Sequence, residues 1–293
     1  MIYFREEIFL FPLRQYNIIK RESMIASIVW DMDPVLLKLG SIELRWYGLM
    51  WGLGFILAYE MVSRLFKKEK YPDNWADKLF IYCIVSTVIG ARLGHCLFYE
   101  WDYYSVNPVE IFKIWHGGLA SHGGVFAIIL ALIWYSKKVT KKSVWWLFDR
   151  MIPAVAVVCF CIRFGNLMNS EIFGYPTSMP WGFEFVRSRE WQHLYPGLAC
   201  HPTQVYEMIY CALAFIVSWL MYNKFHLQDR VGLITGVSLL IFFGSRFVLE
   251  FMKNPQVASE SSMMLNIGQL LSLPLILLGT YLIYSSRIKS EKI

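Results

Sequence analysis

An arginine and a run of amides follow one of the most apolar stretches of this 293-residue chain. The residues leading to Arg163 are almost all apolar, whereas Gly165, Asn166, Asn169 and Glu171 come within a few residues after it. Polar groups in a bilayer raise the free energy unless they bind each other or a ligand. If the apolar stretch spans a membrane, the run predicts a polar cavity at the end of that span.

The composition indicates that the chain does lie in a bilayer. Hydrophobic residues make up 56% of the sequence and charged residues 17%, which is too apolar for a soluble domain of this length. Several stretches are long enough, at about 1.5 Å per residue, to cross about 30 Å of hydrocarbon. We therefore predict an all-α integral membrane protein with about seven transmembrane helices, near 47–65, 79–99, 119–135, 146–168, 205–222, 231–252 and 265–284.

The remaining sequence forms connections between these spans. Two outer-face connections, near 100–118 and 169–203, carry tryptophans that are typical of segments lying at the membrane interface. No repeat or linker divides the chain, so we predict a single transmembrane domain over residues 1–293. Residues 1–23 contain neither a span nor a clear signal-peptide pattern, and we expect them to form a non-native or disordered extension.

The positions of the cations predict the orientation. When alternate loops are assigned to one side, most lysines and arginines collect there, and the opposite loops hold only Lys113, Arg187, Arg189 and Lys253. Against this pattern, Arg5, Arg14, Lys20 and Arg21 precede the first span on the opposite side, where acidic residues lower the net charge. The cation-rich side is expected to be cytoplasmic. An odd number of spans then places the N-terminus outside and the C-terminus in the cytoplasm.

Polar side chains on four spans are expected at one depth. Counted from the cytoplasmic cations, each lies about 20 to 24 Å up its helix. They are Arg92, His122, Arg163 and Arg246. Tyr47 opens the first span at or slightly above that layer. Alone, Arg92 could extend to the interface and Arg246 could pair with Glu250 one turn on, but together the four favour a site near the outer headgroups.

The residue types in this layer indicate a phosphate ligand. A guanidinium offers a planar fork of donors that suits phosphate oxygens, and a phospholipid headgroup is the phosphate found at that depth. The glycine-rich run Gly117–Gly124 contains His122, a potential base that backbone or ligand can approach closely. Close helix packing around a hydrogen-bonded structural histidine is the alternative. We interpret His201–Glu207 as a structural cap of the helix that follows.

Six motifs occur in a fixed order along the chain. They are Leu44–Gly48, Gly90–Arg92, Ser121–Gly124, Arg163–Gly174, His201–Glu207 and Arg246–Glu250. In this order they closely resemble bacterial phosphatidylglycerol–prolipoprotein diacylglyceryl transferase. The resemblance runs from about residue 30 to Leu282, and its long arginine–asparagine motif is highly specific to that family.

The resemblance implies a reaction. Phosphatidylglycerol donates its diacylglyceryl group to the lipobox cysteine thiol of a prolipoprotein, which forms a thioether and releases glycerol phosphate. This is the first step of lipoprotein maturation, carried out at the bacterial cytoplasmic (inner) membrane. The expected partners are therefore phosphatidylglycerol, the prolipoprotein signal peptide and the bilayer, without a metal, another cofactor or a nucleic acid. A membrane lipid or anion transporter is the alternative, since it would also cluster arginines.

The resemblance also assigns roles to single residues. His122, Arg163 and Arg246 correspond to catalytic positions, the histidine as base or headgroup ligand and the arginines as phosphate binders. The other positions expected to bind substrate are Tyr47, Arg92, Asn166, Asn169, Glu171 and Gly174. Phe242 stands where some members carry a functional tyrosine, which puts an essential phenol at that place in doubt.

Overall fold

The computed structural model describes residues 27–40, 42–113, 117–254 and 263–290. Seven of its helical segments are long and apolar enough to cross a membrane, which confirms the prediction of an all-α integral membrane protein. The extension expected over residues 1–23 lies outside the described residues.

The helices begin and end close to the positions that hydropathy predicts. In chain order they are α1 (Trp46–Lys68), α2 (Asn74–Phe98), α3 (Trp101–Val106), α4 (Ser121–Tyr135), α5 (Val144–Met168), α6 (Arg189–Leu194), α7 (Thr203–Asn223), α8 (Leu233–Leu239), α9 (Ser245–Leu249) and α10 (Ile267–Ser290). A π-helical turn, Leu240–Gly244, joins α8 to α9, and a 3-10 turn, Glu250–Met252, completes that span. Another π-helical turn, Ser136–Thr140, extends α4.

The ends and interruptions of the spans follow from simple chemistry. Lys67 and Lys68 lie in the last turn of α1, where cations stabilise the helix carbonyl dipoles. Pro153 and Pro274 lie inside α5 and α10, where a membrane-spanning helix tolerates proline because neighbouring groups satisfy the freed backbone.

Short strands occur in addition to the predicted helices. They are β1 (Ile28–Val29), β2 (Val35–Leu39), β3 (Ile42–Arg45) and β4 (Phe183–Glu184). β2 and β3 form an antiparallel pair directly before α1, and β1 pairs in parallel with β4. The connection near 100–118 contains α3 and a 3-10 turn, and the connection near 169–203 contains β4 and α6. Their location at the membrane interface stays a prediction.

The described chain divides into two compact units, each with its own core. Unit one comprises the described residues up to Gly54 together with Ala156–Ala214 and Ser238–Thr280. Unit two comprises Phe55–Val155, Phe215–Val237 and the described residues from Tyr281 onward. The single transmembrane domain expected from the sequence stays a prediction.

The core of unit one lies around the end of α5. Phe173 and Phe185 stack with ring centroids 5.2 Å apart, and Trp191 and Leu167 are buried in the same cluster. The Trp30 ring nitrogen donates a hydrogen bond to the Leu167 carbonyl at 3.0 Å. These contacts fix the polar turn that follows Arg163.

Unit two contains a tight helix crossing between α2 and α4. A side chain at Gly94 or Gly123 would collide with the backbone of the opposite helix, and one at Gly90 would also meet Ala127. Small residues let two membrane helices approach closely, as they do here. The crossing brings the start of α4, where His122 lies, next to the C-terminal half of α2.

A buried carboxylate organises the other end of unit two. Asp149 on α5 accepts hydrogen bonds from the Gly232 and Thr235 amides at 2.6 and 2.8 Å, and from the Thr235 hydroxyl. These amides lie at the N-terminal end of α8, where free N–H groups and the positive dipole end suit a carboxylate. Asp149 is therefore a helix cap and has no assigned part in the chemistry.

Candidate active site

Arg163 lies near the end of α5 and pairs with a fully buried carboxylate. Its Nε is 2.8 Å from Oε2 of Glu207 on α7, in an ion pair that lacks the alignment of a hydrogen bond. Its Nη1 donates to Oδ1 of Asn166 at 3.3 Å. No partner for Nη2 is found among the described residues, and the side chain is 22% exposed. The guanidinium is thus held in place while part of its fork stays available.

Lys253 binds the other oxygen of the same carboxylate. Its Nζ lies 2.8 Å from Oε1 of Glu207 and 3.5 Å from Oε1 of Glu250. The Tyr210 hydroxyl donates to the same Glu207 oxygen at 3.4 Å. Lys253 is almost fully buried, and removing one partner of a buried ion pair is costly because the other charge stays unpaired.

Arg246 completes the arrangement from α9. Its Nε lies 3.2 Å from Oε1 of Glu250, the pairing that the sequence offered as the alternative to a binding role. However, Glu250 also binds Lys253 and accepts from the Asn266 side chain at 3.2 Å. The terminal nitrogens of Arg246 have no partner in the part of the chain that the structure describes, and its side chain is 34% exposed.

These contacts form one continuous series, which we call the ion-pair series. In order, its members are Arg163, Glu207, Lys253, Glu250 and Arg246. Three cations alternate with two carboxylates, so the series carries one positive charge in excess. The buried lysine lies in the middle and the two partly exposed arginines lie at the ends. A phosphate or another anion is the ligand that this arrangement can accept.

Amide side chains hold the turn beyond Arg163. Oε1 of Glu171 accepts from the side-chain amides of Asn166 at 2.7 Å and Asn169 at 3.3 Å. The Gln204 side chain donates to the Glu171 carbonyl and the Thr203 hydroxyl to the Ile172 carbonyl, both at 2.6 Å. The predicted substrate-binding residues of this motif therefore lie together, hydrogen-bonded to one another and to the start of α7.

Gly174 lies where two backbone segments approach each other. Its amide donates to the His201 carbonyl at 2.9 Å, and the next amide donates to the Met252 carbonyl at 2.9 Å. An added side chain would lie 2.9 Å from Cγ2 of Thr203 and still closer to the Met252 carbonyl. Packing requires glycine here, because the Met252 carbonyl, directly before Lys253, lies too close to leave room for a side chain.

Tyr47, on α1, packs against α5, the helix that carries Arg163. A Cβ at Gly165 would be 2.8 Å from Cδ2 of Tyr47, so the tyrosine lies directly against the α5 backbone two residues after the arginine. Trp51 meets the Tyr47 ring edge to face with centroids 6.4 Å apart. The structure thus brings together the predicted site residues of unit one.

Arg92 in unit two directs its whole guanidinium toward backbone carbonyls. It is 4% exposed and stacks over the Tyr104 ring at 5.0 Å. Its three nitrogens donate to five carbonyls at 2.6 to 3.3 Å, those of Glu110, Ile111, Lys113, Gly117 and Gly118. In this structure Arg92 fastens the connection after α2, and its predicted contact with substrate stays a prediction.

His122 lines a cavity and is exposed. The cavity has a volume of about 300 Å3 and is bounded by His95, Tyr99, Leu119, Ala120 and His122. Among the described residues the His122 ring has no hydrogen-bond partner, unlike the hydrogen-bonded structural histidine offered as the alternative. His95 in the same cavity lies 3.5 Å from Oε2 of Glu100. A thiol or another small polar group can therefore reach the His122 ring from the cavity.

The motif His201–Glu207 does more than cap α7. Thr203 and Gln204 bond the turn beyond α5, as a structural cap would, but Glu207 carries the central carboxylate of the ion-pair series. Burial lowers the pKa of His201, which lies outside the span. Its Nδ1 lies 3.1 Å from the Tyr206 hydroxyl.

Sequence reasoning missed two members of the ion-pair series. Lys253 was counted only as an outer-loop cation, and Glu207 only as a polar group at a helix end. The signal for Lys253 was its spacing of three residues after Glu250, which suits an ion pair within one helical turn. Glu207 pairs with residues far away in sequence, so no local pattern could have identified its partners.

The phenol missing at position 242 has a counterpart nearby. Phe242 lies in the π-helical turn and meets the Tyr210 ring edge to face with centroids 6.0 Å apart. Tyr210 supplies the hydroxyl that reaches Glu207.

Within the described residues, no group of three or more histidine, cysteine or acidic side chains could hold a metal ion.

Comparison with known proteins identifies the family. A family model described as prolipoprotein diacylglyceryl transferase matches residues 34–285. The chain belongs to this family. A phosphatidylglycerol–prolipoprotein diacylglyceryl transferase of Porphyromonas gingivalis is 46% identical over 266 residues, covering 88% of this chain and 94% of the relative.

Two further members of the family carry the same name. The protein of Chloroherpeton thalassium is 43% identical over 261 residues, covering 89% of this chain and 95% of the relative. That of Tolumonas auensis is 39% identical over 260 residues, covering 88% and 97%. Membership makes this chain an enzyme and, with its seven apolar helices, a multi-pass bacterial inner-membrane protein. It does not favour the alternative of a lipid or anion transporter.

Proposed function

We propose that this enzyme transfers the diacylglyceryl group of phosphatidylglycerol to the lipobox cysteine thiol of a prolipoprotein. The product is a thioether, and glycerol phosphate is released. The observation that carries the proposal is the ion-pair series, because it ends in two arginines that keep donors without a partner among the described residues: Nη2 of Arg163 and both terminal nitrogens of Arg246. The names of the relatives describe the same chemistry.

The two arginines bind the donor phosphate. In Arg163 and Arg246 the Nε lies beside a carboxylate, which orients the guanidinium. Nη2 of Arg163 and the terminal nitrogens of Arg246 then donate to phosphate oxygens in the proposed complex. Negative charge builds on this phosphate as it becomes the leaving group. Preoriented cations stabilise such charge more in the transition state than in the ground state.

The acceptor thiol must lose its proton before it attacks. A cysteine thiol with a pKa of about 8.5 is mostly protonated at neutral pH, and His122 takes its proton in the proposed reaction. The thiolate sulfur then bonds to the glyceryl carbon that carries the phosphate ester. The carbon–oxygen bond breaks, and its electron pair leaves with glycerol phosphate. No cofactor or metal enters this sequence of steps.

The remaining predicted residues support substrate binding. Asn166, Asn169 and Glu171 form the polar turn beside Arg163, and Tyr47 lies against the same helix. Gly174 contributes through its backbone, since a side chain would displace the segment around it. Arg92 supports the site indirectly, by fastening the chain that leads to His122.

A direct test of the function is thioether formation. Purified enzyme, labelled phosphatidylglycerol and a lipobox peptide should give a peptide whose cysteine gains the mass of one diacylglyceryl group, together with one glycerol phosphate. A peptide with serine in place of the cysteine is the matched control. Unmodified cysteine together with movement of lipid or anion across vesicles would contradict the proposal and favour a transporter.

The proposed orientation has the N-terminus outside and the C-terminus in the cytoplasm. A reporter fused after Lys292 should be active in the cytoplasm, and a tag within the 169–203 connection should be accessible from outside. The opposite labelling pattern would contradict the orientation without affecting the proposed reaction.

A further inference from the structure

The hairpin of β2 and β3 has two chemically different faces. Leu37 pairs with Leu44 across the hairpin, and Lys38 pairs with Glu43. Directly opposed residues point to the same side of a strand pair, and neighbouring residues along a strand point to opposite sides. Leu37, Leu39 and Leu44 therefore share one face, which we call the leucine face.

The opposite face of the hairpin is charged and internally paired. The Lys38 Nζ lies 3.0 Å from Oε1 of Glu43, and the Arg45 Nη2 lies 3.0 Å from Oε2 of the same carboxylate. The leucine face, by contrast, is exposed: Leu37 by 48%, Leu39 by 63% and Leu44 by 40%. The ion-paired residues and the leucine face therefore lie on opposite sides of the hairpin.

The position of the hairpin indicates what covers the leucine face. Arg45 is followed directly by Trp46, the first residue of α1, which is a candidate membrane span of 23 residues. A hairpin joined without a linker to the end of a span lies at the boundary between membrane and water. Tryptophan at the end of a span is typical of that boundary.

The stability of the hairpin also indicates that lipid covers the leucine face. An isolated two-stranded hairpin is marginally stable in water and needs an apolar surface to pack on. None of the leucines of the leucine face belongs to the hydrophobic core clusters of the described residues. Lipid acyl chains near the headgroups offer such a surface, while the ion-paired face stays in water.

We propose that the hairpin lies flat on the bilayer, with the leucine face inserted among the lipids at the N-terminal end of α1. Insertion fixes the height of α1 in the membrane. Tyr47, two residues after the hairpin, lies against Gly165 near Arg163, so the hairpin also fixes the height of this arginine. This last consequence rests on the proposed function, in which Arg163 must meet the phosphate layer.

Photo-cross-linking tests the inserted face independently of catalysis. Benzoylphenylalanine replaces Leu39 in one full-length variant and Lys38 in a matched variant, both in vesicles that contain labelled phosphatidylglycerol. Both side chains are exposed, so neither replacement should disturb folding. After illumination, the variant at position 39 should carry several-fold more lipid adduct than the variant at position 38. Equal lipid yields, or adducts at 39 to protein in place of lipid, would overturn the proposal.

Charge substitutions test the consequence for the enzyme. Leu39→Lys should raise the KM for phosphatidylglycerol several-fold with little change in kcat, whereas Lys38→Gln on the opposite face should change neither. Unchanged kinetics in Leu39→Lys would overturn the link to the site. If the wild-type enzyme forms no thioether, the proposed function fails, but the cross-linking result still decides the membrane contact.

Discussion

The arginines of the two units are buried to different extents and bind different partners. In unit one, Arg163 and Arg246 pair with carboxylates through Nε, remain partly exposed and each retain at least one terminal nitrogen without a partner among the described residues. In unit two, Arg92 is buried and donates to five backbone carbonyls. The same side chain at a similar predicted depth thus keeps donors available for a ligand in one unit and fastens the chain in the other.

The difference shows what makes a buried cation available to a ligand. A carboxylate partner on one edge of the guanidinium compensates part of the desolvation cost and leaves the other donors unused. Carbonyl partners on every edge satisfy the group completely. A count of arginines in a membrane layer does not distinguish these cases, but the hydrogen-bond partners do.

The largest effect is expected when Arg163 and Arg246 lose their planar fork. Arg163→Lys and Arg246→Lys keep the charge but cannot offer paired donors, so turnover should fall by about 10²- to 10³-fold. kcat and kcat/KM should fall together if the contact strengthens in the transition state. Arg187→Lys, at an exposed ion pair with Asp31 and Asp33, is the control and should be nearly normal. Near-normal turnover in both test variants would return Arg246 to a purely structural pairing.

The histidine of unit two should be the next most sensitive position. His122→Gln should lower turnover by about 10²-fold, the usual scale for lost acid–base assistance. Its stability should not change, because the side chain is exposed and has no hydrogen-bond partner among the described residues. Raising the pH should partly restore turnover by deprotonating the thiol. The exposed His193→Gln is the control. Weaker lipid binding without rescue at high pH would make His122 a headgroup ligand.

A third experiment asks whether the carboxylates of the ion-pair series hold the arginines in place. Glu207→Gln leaves Arg163 and Lys253 without their buried counter-charge, which should cost about 3 kcal/mol and lower the unfolding temperature in detergent. Adding Lys253→Met should recover part of that stability. Glu190→Gln, on an exposed part of α6, is the control. If Glu207→Gln alone is as stable as the wild type, the ion-pair series does not position Arg163.

The smallest effect on turnover is expected at Arg92. A lysine can reach only some of the five carbonyls, so Arg92→Lys should destabilise the connection after α2 by about 1 to 3 kcal/mol. Amide hydrogen exchange within residues 100–113 should become faster, while turnover falls less than in Arg163→Lys. Arg64→Lys, at an exposed pair with Glu60, is the control. A loss of turnover as large as in Arg163→Lys, with unchanged exchange, would make Arg92 a direct phosphate ligand.

Much of the fold could be predicted because the bilayer imposes a local rule. A span must be continuous, apolar and about 20 residues long, and these properties can be found along the sequence alone. The same rule explains why the hairpin of β2 and β3 before α1 could not be predicted from hydropathy. Strands of four or five residues such as β2 and β3 bury little surface and give no hydropathy signal comparable to a span.

Part of the site could be predicted for a similar reason. Arg163, Asn166 and Asn169 contrast so strongly with their apolar surroundings that their position indicates function. Lys253 lies at the end of a span, where a cation is ordinary, and its burial depends on the approach of Gly174 and Glu207. Such a residue gives no signal until the chain is folded.

The sequence by itself determined the solvent, the spans and the order of the motifs, and it predicts phosphate binding by the arginines. Each of these depends on residue type or on spacing within one segment. Only the tertiary structure decided which charges are paired, because ion pairs such as Arg163 with Glu207 join helices that are distant in sequence. It also decided that Arg92 binds carbonyls, since the availability of a guanidinium depends on what packs around it.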